Sequence, residues 1–82
     1  MPVKTLMHLS IGETRLIQSL HQEEHIKKRL MDLGFIAGMP VTLALISPFG
    51  NPRAYRIAGS MIALRNSDAE KISVTEEGGE QL

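Results

Sequence analysis

The side chains best suited to metal chemistry lie in one short segment, residues 21–25, with the sequence HQEEH. This segment satisfies the H-x-x-E-H pattern of inverted zinc proteases. On a helix, His21 and His25 would share one face, and Glu24 could complete a set of two histidines and one carboxylate. A chain of 82 residues, however, has little room for the further ligands and the substrate cleft of a protease. The sequence therefore makes His21, Glu24 and His25 weak candidates for metal ligands and predicts no resident metal.

No other residue pattern indicates catalysis. The chain has no cysteine, which excludes a thiolate zinc site, an iron–sulfur cluster and a cysteine nucleophile. It contains neither G-x-x-x-x-G-K-[ST] nor G-x-G-x-x-G, the usual phosphate-binding loops of nucleotide sites. No serine stands at a recognisable spacing from a histidine base. We therefore expect a protein that is not an enzyme and has no cofactor.

The basic residues point to a binding surface. The whole chain has zero formal charge, but residues 1–75 carry nine basic against six acidic side chains, a net charge of +3. Lys28 and Arg29 belong to the only basic run, Arg53 and Arg56 lie in a predicted strand, and Phe49 lies in a loop rich in proline and glycine. An aromatic residue in such a loop is hard to bury and suits an anchor for a partner. We predict that these five residues bind a partner, with a solvated basic face and a folded-back Phe49 as the alternatives.

Two classes of partner are not expected. The balanced charge and the three aromatic residues give neither a basic surplus nor a stacking platform for nucleic acid. The longest apolar block, Val41–Ile46, is far shorter than the ~18–20 residues of a membrane span. The first residues also lack the apolar region of a signal peptide. We therefore expect a soluble cytoplasmic protein that does not insert into a membrane.

Period-two alternation predicts five short β-strands. Their ranges are Thr14–Leu20, Val41–Ile46, Arg53–Ala58, Met61–Arg65 and Lys71–Thr75. In the first strand, strict alternation places Leu16 and Leu20 on one face and Ile17 on the other. In the second strand it places Leu45 on the same face as Val41. Turn residues separate the runs, which indicates antiparallel pairing.

One amphipathic helix is predicted between the first two strands. Ile26, Leu30 and Leu33 follow the i, i+4, i+7 spacing of an apolar stripe. Gly34 and Phe35 then fit the C′ and C″ positions of a Schellman ending.

The remaining patterns complete the predicted architecture. Residues 67–70 have capping-box spacing and predict a single helical turn over Ser67–Glu70. Five strands with one inserted helix indicate a mainly β domain, a small and partly closed barrel. We expect one domain over residues 1–75 and a flexible acidic tail over residues 76–82.

Three segments together resemble the FeoA proteins. They are residues 28–38 (KRLMDLGFIAG), the loop at 47–52 (SPFGNP), and residues 59–65 (GSMIALR) followed by 68–72 (DAEKI). They occur in the order and with the spacing of that family and cover roughly residues 9–75. Asn51 stands where an aspartate is common in the family, and residues 21–25 match none of its motifs.

The resemblance implies an SH3-like barrel and a small accessory protein of ferrous iron uptake. Its partner would be the FeoB membrane transporter, whose cytoplasmic GTPase domain it would modulate, and it would reach the inner face of the membrane only through that partner. The alternative is a stand-alone SH3-like domain that binds a divalent transition metal directly, similar to the C-terminal domain of iron-dependent repressors. The sequence leaves homo-oligomer formation open.

Overall fold

A computed structural model describes residues 4–78 of the chain. The five strands form one antiparallel sheet in the order β4-β3-β2-β1-β5, and helix α1 connects β1 to β2. Because β4 and β5 are the two edges of this sheet, the barrel is partly closed, as predicted. The elements are a 3-10 turn (Leu6–His8), β1 (Thr14–Leu20), α1 (Glu24–Asp32), β2 (Pro40–Ile46), β3 (Arg53–Ile57), β4 (Ser60–Leu64), α2 (Asn66–Ala69) and β5 (Ile72–Gly78).

The core is formed by buried side chains of the five strands together with residues of the 3-10 turn, α1 and α2. Tyr55 and Phe35 are its largest fully buried side chains. Aliphatic residues from every strand pack with them, and Leu30 is the residue of α1 that is buried. Burial of these apolar side chains is the main driving force for folding in a domain of this size.

Helix α1 ends in the Schellman motif that the sequence predicts. The backbone N–H of Gly34 donates to the carbonyl of Met31 at 3.0 Å, and that of Phe35 donates to the carbonyl of Leu30 at 3.0 Å. Gly34 has a φ of +115°, and a Cβ at this position would lie 2.8 Å from the Cβ of Ala58. The end of α1 is therefore packed directly against the turn between β3 and β4.

Two strands depart from strict alternation. In β1 the buried residues are Ile17 and Leu20, which are three positions apart, because the register with β5 shifts on both sides of Ile17. In β2 the register with β3 shifts between Leu43 and Leu45, and Leu45 is 53% exposed. Each irregularity changes the face on which the following side chains lie, so the predicted faces of Ile17 and Leu45 are wrong.

Helix α2 begins one residue before the predicted turn, and its first N–H is capped from another segment. Arg65 is the N-cap residue and makes no side-chain cap, so the predicted capping box of Ser67 is wrong. The backbone N–H of Asn66 donates to Oδ1 of Asn51 at 3.0 Å, and Nδ2 of Asn66 donates to the carbonyl of Gly50 at 2.9 Å. The loop between β2 and β3 is thereby tied to α2.

The N-terminal segment covers the outer edge of β5. Thr5 forms a β-bridge with Ser73, and the N–H of Val74 donates to the carbonyl of Lys4 at 2.9 Å. The tail expected over residues 76–82 overlaps this strand, because β5 continues to Gly78 and pairs there with Arg15. The remaining part of that segment lies outside the described residues.

Candidate functional site

The five residues predicted to bind a partner lie on two separate surfaces. Lys28 and Arg29 are on α1, whose end packs against the turn after β3. Phe49 is in the loop at the opposite end of β3. A strand of this length separates its two ends by roughly 13 Å. The structure therefore does not join the basic run and Phe49 into one contiguous patch.

Lys28 and Arg29 point in different directions from α1. Both are exposed, and successive helical residues are 100° apart, so they diverge around the axis. Lys28 lies almost opposite Ile26 and Leu30 and faces solvent. Arg29 lies on the side of Ile26 and Leu33, where it lines a groove beside β4. Of these two residues, only Arg29 therefore lines a groove.

Arg53 is directed toward the interior. It is half-buried, its Nη1 donates to the carbonyl of Met7 at 3.5 Å, and its Nε is buried without a hydrogen-bond partner among the described residues. The hydroxyl of Tyr55 donates to the carbonyl of Leu6 at 3.4 Å in the same region. Burial raises the pKa of Tyr55 above its ordinary value, and the positive charge of Arg53 acts in the opposite direction. Arg53 is thus partly engaged in contacts within the fold.

Arg56 is exposed on the outer face of the sheet. It pairs with Met61 of β4, which is 49% exposed. Directly paired residues in an antiparallel sheet have side chains on the same face. Arg56 and Met61 therefore form part of one outer surface at the β4 edge.

The loop between β2 and β3 carries an apolar tip. Phe49 is 96% exposed, and Leu45 and Ile46 at the end of β2 are exposed as well. The N–H of Gly50 donates to the carbonyl of Ser47 at 2.8 Å, and Asn66 holds the base of the loop. Phe49 therefore does not fold back over the barrel, which was the alternative expectation. An aromatic side chain on an anchored loop is suited to insertion into a complementary pocket.

A groove between α1 and β4 is the feature that the sequence did not reveal. It has a volume of about 300 Å³. Its lining is mainly aliphatic, with Arg29 and Asp68 as its charged members; the residues are Ile26, Arg29, Leu30, Leu33, Ile62, Ala63, Leu64 and Asp68. Leu33 belongs to the predicted apolar stripe of α1 yet is 46% exposed. The apolar stripe is the only sequence feature that points to this groove. A stripe alone does not show that part of the helix surface lacks a packing partner.

The three candidate metal ligands are not brought together. Nε2 of His21 is hydrogen-bonded to Oγ of Ser19 at 3.0 Å, and Nδ1 of His25 lies 3.8 Å from Oε1 of Glu23. Glu24 begins α1 and is exposed. Over residues 4–78, no three histidine, aspartate or glutamate side chains are grouped as a metal site would require.

Neither helix in the described part of the chain is long and apolar enough to cross a membrane. The longer one, α1, has nine residues, and its outward face carries Lys28 and Asp32. The exposed features that could bind a partner are thus the groove, the two diverging basic residues Lys28 and Arg29 of α1, and the apolar loop tip at Phe49.

Comparison with known proteins gives these surfaces a context. A family model described as the FeoA domain matches residues 4–76. A protein of Porphyromonas gingivalis, named Fe(2+) transport protein A/Fe(2+) transporter FeoB fusion protein, is 32% identical to this chain over 69 residues. The match includes 84% of this chain, which spans 8% of the length of that relative.

Solved structures show the same fold. The FeoA protein of Chlorobium tepidum has a TM-score of 0.82 and 28% identity, and the match covers 93% of this chain and 75% of that one. The zinc complex of FeoA from Stenotrophomonas maltophilia has a TM-score of 0.75 and 29% identity, covering 87% and 88% of the two chains. The latter protein is described as an SH3 domain protein and a possible activating factor of ferrous iron transport. The SH3-like fold expected from the sequence is thereby confirmed.

Proposed function

Because this chain belongs to the FeoA domain family, we propose that it is an accessory protein of ferrous iron uptake that binds a FeoB-type membrane transporter and modulates its GTPase-coupled transport of Fe²⁺. In this proposal the chain acts on the cytoplasmic side of the membrane, where the GTPase domain of such a transporter lies. It reaches the membrane surface through that partner.

The observation that supports the proposal most directly is a relative in which transport protein A and the transporter FeoB share one polypeptide. The name of the Porphyromonas gingivalis protein joins transport protein A to the transporter FeoB. Fusion holds two domains at a high effective concentration, which favours contact between them. A separate chain of the same family would need a non-covalent surface to achieve the same contact.

The absence of an enzymatic role in this proposal follows from the family. The FeoA domain is a small accessory SH3-like fold and not an enzyme family. GTP hydrolysis and ion translocation would therefore be carried out by the transporter. The contribution of this chain would be a change in the rate of one of those steps when it is bound.

The two exposed basic residues of α1, Lys28 and Arg29, provide a direct test of the binding surface. We expect the double substitution Lys28→Glu and Arg29→Glu to weaken binding to the transporter's cytoplasmic domain at least tenfold. Reversing exposed charges at an interface creates repulsion against a complementary acidic surface. Affinity is measured by calorimetry at physiological salt, and circular dichroism checks that the variant is folded.

A matched control separates a local effect from one of net charge. Lys4 and Lys71 are exposed and lie off α1, and Lys4→Glu with Lys71→Glu changes the net charge by the same amount. This control should bind like the native chain. Equal weakening by both double variants would mean that only overall charge matters, and unchanged binding by both would show that neither Lys28 nor Arg29 is in the interface.

A further inference from the structure

The outer edge of β4 has backbone groups with no partner in the sheet. Residues 58 and 59 form a two-residue hairpin loop in which both φ values are positive, 51° and 80°. In such a hairpin the flanking residues, Ile57 and Ser60, exchange hydrogen bonds, and bonded and non-bonded pairs then alternate. Ser60, Ile62 and Leu64 therefore bond to β3. The N–H and C=O groups of Met61 and Ala63 point away from the sheet.

This edge differs from the other edge of the sheet. The N-terminal segment covers β5, whereas among residues 4–78 no backbone hydrogen bond from a turn or loop reaches residues 60–64. The strand reads SMIAL and contains no lysine, glutamate or proline. Natural proteins commonly protect edges with such residues. The β4 edge is thus open to an added strand.

The groove continues from this edge on the inner face. Ile62 of β4 faces Ile26, Leu30 and Leu33 of α1 across it. A strand added to β4 would direct alternate side chains into this space. Since the walls are mainly aliphatic and the two charged residues of the lining, Arg29 and Asp68, have opposite signs, the side chains that enter the groove would be aliphatic.

The outer face of the sheet beside β4 favours acidic rather than aliphatic side chains. Arg56 and Arg65 are exposed, and Arg65 directly follows β4 in extended backbone, so alternation places its side chain on the same face as Met61. Neither arginine forms a salt bridge within the described part of the chain. The remaining side chains of an added strand would lie beside these two positive charges, where carboxylates are favoured.

We propose that the free edge of β4 binds an extended segment of a partner protein in which aliphatic and acidic side chains alternate. The backbone of that segment pairs with Met61 and Ala63, its aliphatic side chains enter the groove, and its carboxylates approach Arg56 and Arg65. This is β-strand addition, in which backbone bonds give affinity and alternate pockets give specificity. This inference names the surface through which the chain would bind its partner. It rests on the proposed function only for the identity of that partner.

The experiment uses the isolated chain and the peptide acetyl-Glu-Val-Glu-Val-Glu-Val-amide, followed by NMR. We expect saturable amide shifts centred on residues 60–64 and slower hydrogen exchange at Met61 and Ala63. The same peptide with lysine in place of glutamate should bind at least tenfold more weakly. A peptide N-methylated at alternate residues, which has lost the donors facing β4, should not bind.

Two variants of the chain complete the test. Ala63→Pro removes an N–H that points away from β3, and proline is tolerated at such edge positions, so the fold should persist while binding is lost. Arg56→Gln with Arg65→Gln should reduce the difference between the acidic and basic peptides. No shift at millimolar peptide, equal binding of both peptides, or pairing of β4 with a second copy of the chain without peptide would each overturn the proposal. Binding of the chain to the transporter could still be found in that case, so the two proposals fail independently.

Discussion

Phe35→Ala is expected to lower the free energy of unfolding by about 3–5 kcal/mol, whereas Phe49→Ala should change it by less than about 0.5 kcal/mol. The two residues have the same side chain in opposite surroundings: Phe35 is 0% exposed and Phe49 is 96% exposed. Phe35 fills the junction between the end of α1 and the sheet, and its loss would leave a cavity. Urea denaturation of both variants measures the difference, and similar stabilities would contradict the described core.

The same pair of variants separates folding from binding. Phe49→Ala should keep the fold and weaken association with the transporter at least tenfold, because truncating one of the few residues that dominate an interface costs about 2 kcal/mol or more. The binding measurement is the calorimetry used for the α1 variants. If Phe49→Ala bound as tightly as the native chain, the loop tip would not be part of the interface.

Gly34→Ala is expected to be the second strongly destabilising change, lowering the free energy of unfolding by about 2–4 kcal/mol. A φ of +115° is unfavourable for any residue with a side chain, and the new Cβ would lie 2.8 Å from that of Ala58. Gly12 provides the control, since its φ is +89° and no atom lies within 4 Å of the position that a Cβ would take there. Gly12→Ala should therefore cost only the backbone term, about 1–2 kcal/mol.

A double-mutant cycle tests the steric part of this expectation. In an Ala58→Gly background the atom that the new Cβ would meet is absent, so Gly34→Ala should cost about 1–2 kcal/mol less than in the native chain. Thermal or urea unfolding of the four proteins gives the coupling energy. Full additivity would mean that the end of α1 does not contact the turn between β3 and β4.

Local signals in the sequence predicted most of the fold. The five strands came from alternation, and the end of α1 came from Gly34 followed by an apolar residue, because a Schellman motif depends on residues within one turn. What alternation could not predict were the irregularities around Ile17 and before Leu45. A bulge is determined by pairing with a distant strand, so no local pattern marks it.

The candidate site was less predictable for the same physical reason. Arg53 and Arg56 look alike in sequence, yet one bonds to the carbonyl of Met7 and the other is exposed. The start of α2 depends on a cap from Asn51, fifteen residues away. The groove beside β4 exists because two elements far apart in sequence leave a space between them. Composition and spacing identify residue types, whereas tertiary contacts decide which of them are exposed.

Association with the transporter is the central claim, and co-purification tests it most directly. A tagged copy of this chain is expressed at its native level with the FeoB-type transporter of the same cell, and membranes are solubilised in mild detergent. We predict that the transporter is recovered with the native chain and is depleted with the Lys28→Glu, Arg29→Glu variant. Recovery of no transporter with the folded native chain would contradict the proposed function.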